Sequence, residues 1–214
     1  MRFSVWRKKK RKIIVASAGR DGSVSIANLL QEFSDMNGLG LSVCHEYMSR
    51  EFHHEFSNSK KSDGAQSLSA MEEMAVNCDY DIIVGSGCGL AIGYFKKHFD
   101  VTLIHLKRSD RDSAISSLIK NAESFPMAYG NYIESSGSRQ MGRFTAVDLG
   151  ECSQRSWEEM TLRDKIAFYY DRKHSIIEKA GPKLTVNTET ISDLKTIKKI
   201  TALIAPSAKK IPFS

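Results

Sequence analysis

Long apolar runs are missing from this chain of 214 residues. The apolar stretch 13–16 that follows the basic N-terminus is too short for a signal-peptide core or a membrane span, so a cytoplasmic protein without a membrane span is expected. Cysteine is scarce and unpatterned: Cys44, Cys78, Cys88 and Cys152 form no CxxC pair. That spacing argues against a structural zinc and against a disulfide framework, and it suits a reducing compartment. His45, His53 and His54 lie close in sequence but lack cysteine or carboxylate partners at ligand spacing, so no metal is expected. Negative charge is also short, with 25 Asp and Glu against 31 Lys and Arg, a net charge of +6. The excess favours an anionic ligand. Because much of it sits in the run 7–12, which reads as a solvated tail, nucleic acid is not expected as a partner.

What is present is an alternation of short apolar runs with longer amphipathic ones, the mark of βαβ units around a parallel sheet. Strands are predicted over 12–17, 41–44, 80–85, 101–106 and 184–186. Helices are predicted over 25–36, 68–78, 90–98, from Asp112 onward, over 161–179 and over 192–205, with Ser192 as a candidate cap. Residues 125–154, with several Gly and Ser and no clean period, predict an irregular insertion over the site. A composition 41% hydrophobic supports one α/β domain over 12–205 between a basic tail, 1–11, and a C-terminal tail, 206–214.

After the first strand comes ASAGRDGSVS, a strand-to-helix turn containing Gly19 and Gly22. Backbone N–H groups at a helix start lack internal partners and sit at the positive end of the helix dipole, so such a turn is a phosphate cradle in outline. It is not a Walker A loop, because the GxxxxGK[ST] spacing and its lysine are absent. A second string, HLKRSDRDSAISS, puts Arg108 at the end of the fourth strand and Ser116 eight positions later on a helix. A guanidinium gives a phosphate a fork of donors, and a hydroxyl one helical turn in completes the shell.

The two strings together resemble the PAPS-dependent sulfotransferases, enzymes that use 3′-phosphoadenosine 5′-phosphosulfate (PAPS). TLRDKIAFYYDRKHSII and LTVNTETISDL resemble the late helix and closing strand of that family. The resemblance implies a P-loop-like three-layer sandwich, with a central parallel sheet flanked by helices and PAPS laid across the strand ends. It implies nucleotide binding by Gly19, Arg20, Asp21, Gly22, Ser23, Val24 and Ser25 at the phosphosulfate, and by Arg108 and Ser116 at the 3′-phosphate. It also implies sulfuryl transfer to a hydroxyl acceptor on a sugar, lipid or small metabolite, without a metal. Arg20 is then the electrophilic partner of the leaving oxygen. The cytosolic phenol and steroid enzymes carry a catalytic His near the position of Ser86, which this chain lacks. Bacterial and Golgi-type relatives place a Glu after the second strand, and SVCHEYM supplies Glu46 as first candidate for the general base and His45 as second. Asp21 stands where the family prefers a small uncharged residue. It keeps open a non-catalytic nucleotide-binding protein or a phosphoryl transferase.

Overall fold

The computed structural model describes residues 9–60, 64–129, 132, 143–208 and 210. Five strands, β1 (Arg11–Ala16), β2 (Val43–His45), β3 (Ile82–Gly85), β4 (Asp100–Lys107) and β5 (Leu184–Asn187), form one sheet in the order β2-β3-β1-β4-β5. Every neighbouring pair is parallel, with Ile14 level with Ile83 on one side and Leu103 on the other. Parallel pairing needs crossover connections, and the helices that make them cover both faces. That is why β1 continues from Lys12 as IIVA, without a polar alternate position.

Alternation along the strands sorts the core into two layers. Ile13, Val15, Ile82, Val84, Ile104 and Leu106 meet Ile26, Leu30 and Phe33 of α1 (Ser23–Met36) and Ile197 and Ile200 of α8 (Leu194–Ile204). Ile14, Ala16, Ile83 and Leu103 face the opposite side. There they meet α2 (Ser49–Asn58), α3 (Ala65–Val76), α4 (Ile92–His98), α5 (Arg111–Ser124) and α7 (Leu162–Lys179) through Phe52, Met71, Phe95, Leu118 and Ile166. Full burial of side chains of this size contributes about 1.5–3 kcal/mol each. The architecture is the expected α/β three-layer sandwich with a central parallel sheet. No helix among the described residues is long and apolar enough to cross a membrane.

Several boundaries differ from the sequence reading. α2 was not expected: in SREFHHEFSN only Phe52 and Phe56 carry the helical period, and the second buried position is a histidine, His53. α5 starts at Arg111 because Asp110 caps it, its carboxylate accepting from Ser113 N at 3.0 Å. α8 starts at Leu194 with Asp193, not Ser192, at the cap position. The expected irregular insertion falls partly outside the described residues. Within them it holds a short 3₁₀ turn at Pro126–Tyr129, and α6 (Gln154–Glu159) begins at its last position. The basic run is not wholly a tail. Arg11 opens β1 and donates to the carbonyls of Leu203 and Ile204, while fully buried Lys12 donates to those of Cys78 and Tyr80 and lies over the Phe99 ring.

Candidate functional site

Four strand ends open on one side of the sheet, where α/β folds hold their ligands. The segments that follow β1, β2, β3 and β4 line a cleft of about 810 Å³ there. Among the described residues, Arg20, Glu46 and Met48 are the non-glycine residues with left-handed φ, at 60°, 58° and 42°. All three line this cleft. Left-handed backbone costs a side-chain-bearing residue roughly 1–2 kcal/mol, and such strain gathers where geometry serves a site.

The β1–α1 turn is held from within. Asp21 is fully buried, its carboxylate accepting from Ala18 N at 2.9 Å and from the Tyr170 hydroxyl at 3.2 Å. Burial raises its pKa to about 6. Asp21 therefore braces the turn from behind, and among the loop residues expected to contact ligand it is the one the structure turns inward. Gly22, at φ 78°, occupies the cap position of α1, and no side chain caps that helix. The first N–H groups of α1, on Ser23, Val24 and Ser25, thus begin at the cleft without an intrahelical partner. Gly19, Arg20, Gly22, Ser23 and Val24 line the cleft, whereas the exposed Ser25 side chain does not. The Ser23 hydroxyl is engaged with His45 Nε2 at 3.0 Å, so Ser23 faces the second strand as well as the turn.

Glycine at position 22 answers to the protein before any ligand. A Cβ there would lie 2.7 Å from Thr188 Cγ2, beside the 3₁₀ turn Thr188–Thr190 that follows β5. Thr188 in turn donates to the Asp21 carbonyl at 2.6 Å, and Glu189 accepts from Ser109 N at 3.2 Å. The closing-strand string thereby braces the turn and the end of β4 together.

Arg108 lines the cleft and its Nε donates to the Arg20 carbonyl at 2.9 Å. The two expected phosphate strings, far apart in sequence, are thus joined by a hydrogen bond. Arg20 Nε donates to Ser117 Oγ at 3.1 Å, tying the same turn to α5. Ser116 is exposed and is not among the cleft residues. The helix presents Ser117, Leu118 and Asn121 toward this end instead, because Ser116 sits off the buried 114–115–118–122 stripe.

At the far wall Glu46 follows β2, and its carboxylate accepts from Ser86 N and Ser86 Oγ, each at 3.1 Å. Gly85 makes room, since a Cβ there would come within 2.9 Å of Glu46 Oε2. His45 Nε2 stands 3.9 Å from Glu46 Oε1. A carboxylate fixed by two donors at a cleft wall is suited to taking a proton from a bound hydroxyl.

Beneath the cleft lie groups to which the sequence reading gave no role in the site. Lys173 of α7 is fully buried, and its Nζ donates to Tyr169 Oη at 2.9 Å and to His53 Nε2 at 2.8 Å. Burial, with the nearby Arg143 charge, lowers its pKa to about 7. His53 lines the cleft and is held neutral by burial, well below its ordinary pKa, with Nδ1–H donating to the Ser49 carbonyl at 2.6 Å. Behind Asp21, His105 Nε2 and His174 Nδ1 share a hydrogen bond of 2.6 Å, and His174 Nε2 lies 3.7 Å from Asp21 Oδ2. A lysine on the apolar face of α7, four positions after Tyr169, is the signal that marks the first of these clusters. Arg143 carries no such signal. Comparison with known proteins adds no family to this geometry, since no family model matches the chain and no curated protein matches it.

Proposed function

We propose that the chain is a PAPS-dependent sulfotransferase acting on a hydroxyl acceptor. The observation that carries this reading is the meeting, in one cleft, of the uncapped start of α1, Arg20, Arg108 and Glu46. The inward turn of Asp21 supports it, because the carboxylate that argued for a different class braces the loop and does not oppose an anion in the cleft. The Glu46–Ser86 contact supports it as well. Where related enzymes carry a histidine near position 86, this chain brings a carboxylate to the same strand end.

On this reading PAPS supplies the sulfuryl group, and the β1–α1 turn and Arg108 hold the two anionic ends of the nucleotide. Glu46 takes the acceptor hydroxyl proton as the new oxygen–sulfur bond forms. Arg20 stabilises the charge that grows on the bridging oxygen as its bond to sulfur breaks, leaving a sulfate ester and 3′-phosphoadenosine 5′-phosphate (PAP). The test is a thermal-shift comparison of PAP, AMP and ATP. A ligand at a hundred times its dissociation constant stabilises by about 2.7 kcal/mol. PAP should raise the midpoint well above AMP and ATP at equal concentration. Equal shifts for all three would overturn the assignment, and tight PAP binding without turnover on any acceptor would make the chain a nucleotide-binding protein only.

A further inference from the structure

Behind the β1–α1 turn three titratable side chains stand in a row, and all three, Asp21, His105 of β4 and His174 of α7, are buried. His105 Nε2 and His174 Nδ1 share the 2.6 Å hydrogen bond, and His174 Nε2 faces Asp21 Oδ2 at 3.7 Å. Among the described residues, His105 Nδ1 and His174 Nε2 have no hydrogen-bond partner. The Asp21 end of the row is fixed to the turn, since the same carboxylate accepts from Ala18 N and from the Tyr170 hydroxyl. Charges reach the row from two elements, Lys107 and Arg108 at the end of β4 and Lys173 and Glu178 on α7. Lys107 and Glu178 pair with each other at 3.4 Å in solvent, and Arg108 is held on the Arg20 carbonyl. Beyond β5 the exposed Glu189 is engaged with Ser109 N.

Burial keeps both imidazoles neutral near pH 7. A neutral imidazole has one N–H and one bare nitrogen, so the shared bond sets the two rings as a pair. With Asp21 ionised, His174 turns an N–H toward it from Nε2, His105 donates from Nε2 to His174 Nδ1, and His105 Nδ1 is bare. With Asp21 protonated the row reverses. The carboxyl hydrogen goes toward His174 Nε2, His174 donates from Nδ1 to His105 Nε2, and His105 carries its hydrogen on Nδ1. The second state holds one proton more than the first. An anion at the start of α1 places negative charge across the same turn, and like charge favours the neutral carboxyl. We propose that an anion bound at the β1–α1 turn is taken up together with one proton, which settles on Asp21 and reverses both histidines. That linkage rests on the turn being the anion site of the sulfotransferase reading, and it gives the site a regulator. Burial already raises the Asp21 carboxyl to about 6, so the linkage acts close to neutral pH.

The probe is sulfate, which does not itself titrate near neutrality, compared with chloride at equal ionic strength on the full chain. Its dissociation constant, read from thermal shifts, should be about threefold or more lower at pH 5.5 than at pH 8. Asp21→Asn keeps an acceptor for Ala18 N and takes no proton, so it should lose most of that ratio. Any share contributed by the cleft-wall histidine His45 persists in Asp21→Asn, and the difference belongs to Asp21. Nitrogen-15 spectra of the imidazoles give a direct second readout. At pH 6.5, saturating sulfate should move His105 and His174 of the unaltered chain together from Nε2–H toward Nδ1–H. A ratio undiminished in a folded Asp21→Asn, or tautomers that ignore bound sulfate, overturns the linkage and leaves the anion site standing. If Asp21→Asn does not fold, the spectra of the unaltered chain decide alone. If PAP binds and sulfate does not, PAP replaces sulfate in the spectra. Should neither stabilise the chain at either pH, the anion site itself falls, and the linkage with it.

Discussion

Glu46 and His45 are chain neighbours with different partners, and the partners separate their expected roles. Glu46 is held by Ser86 at the end of β3, whereas His45 shares a hydrogen bond with Ser23 at the start of α1. Glu46→Gln keeps size and hydrogen bonding but takes no proton. Turnover should fall by roughly 10²–10⁴-fold with PAP affinity nearly unchanged, while His45→Ala should lose much less. Steady-state rates with a true acceptor decide this, and a fully active Glu46→Gln beside an inactive His45→Ala would hand the role to the histidine. Arg108→Ala has two expected effects, because its Nε also holds the Arg20 carbonyl. PAP should weaken by about 2–3 kcal/mol for the lost charged contact, and AMP by a smaller amount through the loosened turn. Calorimetry on both nucleotides separates them, and equal losses would remove Arg108 from the 3′-phosphate. Arg20, Glu46 and Arg108 were legible in the sequence because each lies just beyond an apolar strand, where position along the chain nearly equals position in the site. Arg143 and the Glu46–Ser86 contact were not, since they depend on segments brought together only by packing.

Among the elements, the β1–α1 turn was readable as a turn but not in its support. Its glycine pattern suggested space for a ligand, yet the nearest obstacle to a side chain at Gly22 is Thr188, contributed from the far end of the chain. Gly22→Ala should therefore destabilise the protein through two separable causes, the left-handed φ and the Thr188 methyl. Thr188→Ser removes that methyl and keeps the hydroxyl that donates to the Asp21 carbonyl. Combined with Gly22→Ala, it should recover part of the loss, an interaction on the order of 1 kcal/mol in a double-mutant cycle followed by urea unfolding. Strict additivity would show that the turn moves away from Thr188 at no cost. α2 escaped the sequence reading for a related reason. Its buried face combines one phenylalanine, a serine and a histidine, whose burial is made tolerable by Lys173 and Tyr169 from another helix.

For the molecule as a whole, buried titratable groups set the response to pH. Burial holds His105 to about 4 and His174 to about 3, against 6.5. The unfolded chain takes these protons first, so the stability of the neutral pair is present above about 6.5 and is lost as pH falls toward 4 and 3. Asp21, raised to about 6 from 3.8, runs the other way and adds stability as pH falls between those values. Below about 4 Asp21 no longer opposes the histidine slope. The double variant His105→Leu, His174→Leu should therefore show a shallower loss of Tm between pH 4 and pH 3 than the unaltered chain. Lys173 gives a second test. Burial lowers it from 10.5 to about 7, so its penalty grows as pH falls from 10.5 and is constant below 7. Lys173→Met removes this penalty together with the bonds to His53 and Tyr169, so the variant's stability relative to the unaltered chain should be more favourable at neutral pH than at pH 10. Thermal unfolding at the two pH values checks the sign, and a more favourable difference at pH 10 would contradict the assigned cause.

The first strand of the chain is the middle strand of the sheet, paired with β3 on one side and β4 on the other. During synthesis β1 emerges with neither neighbour yet made; its β3 side can pair only once residue 85 has been added, and its β4 side stays open until residue 107. The β1–α1 turn has to wait longer for its brace, since Thr188 arrives only after β5. Chain growth therefore begins this sheet at its centre and finishes it at the β5 edge, and the β1–α1 turn is braced last. A chain released at residue 183 would lack β5, α8 and Thr188. It should be retained by chaperones as an incomplete sheet with α1 covering one face alone, even though it already contains Arg20, Glu46 and Arg108.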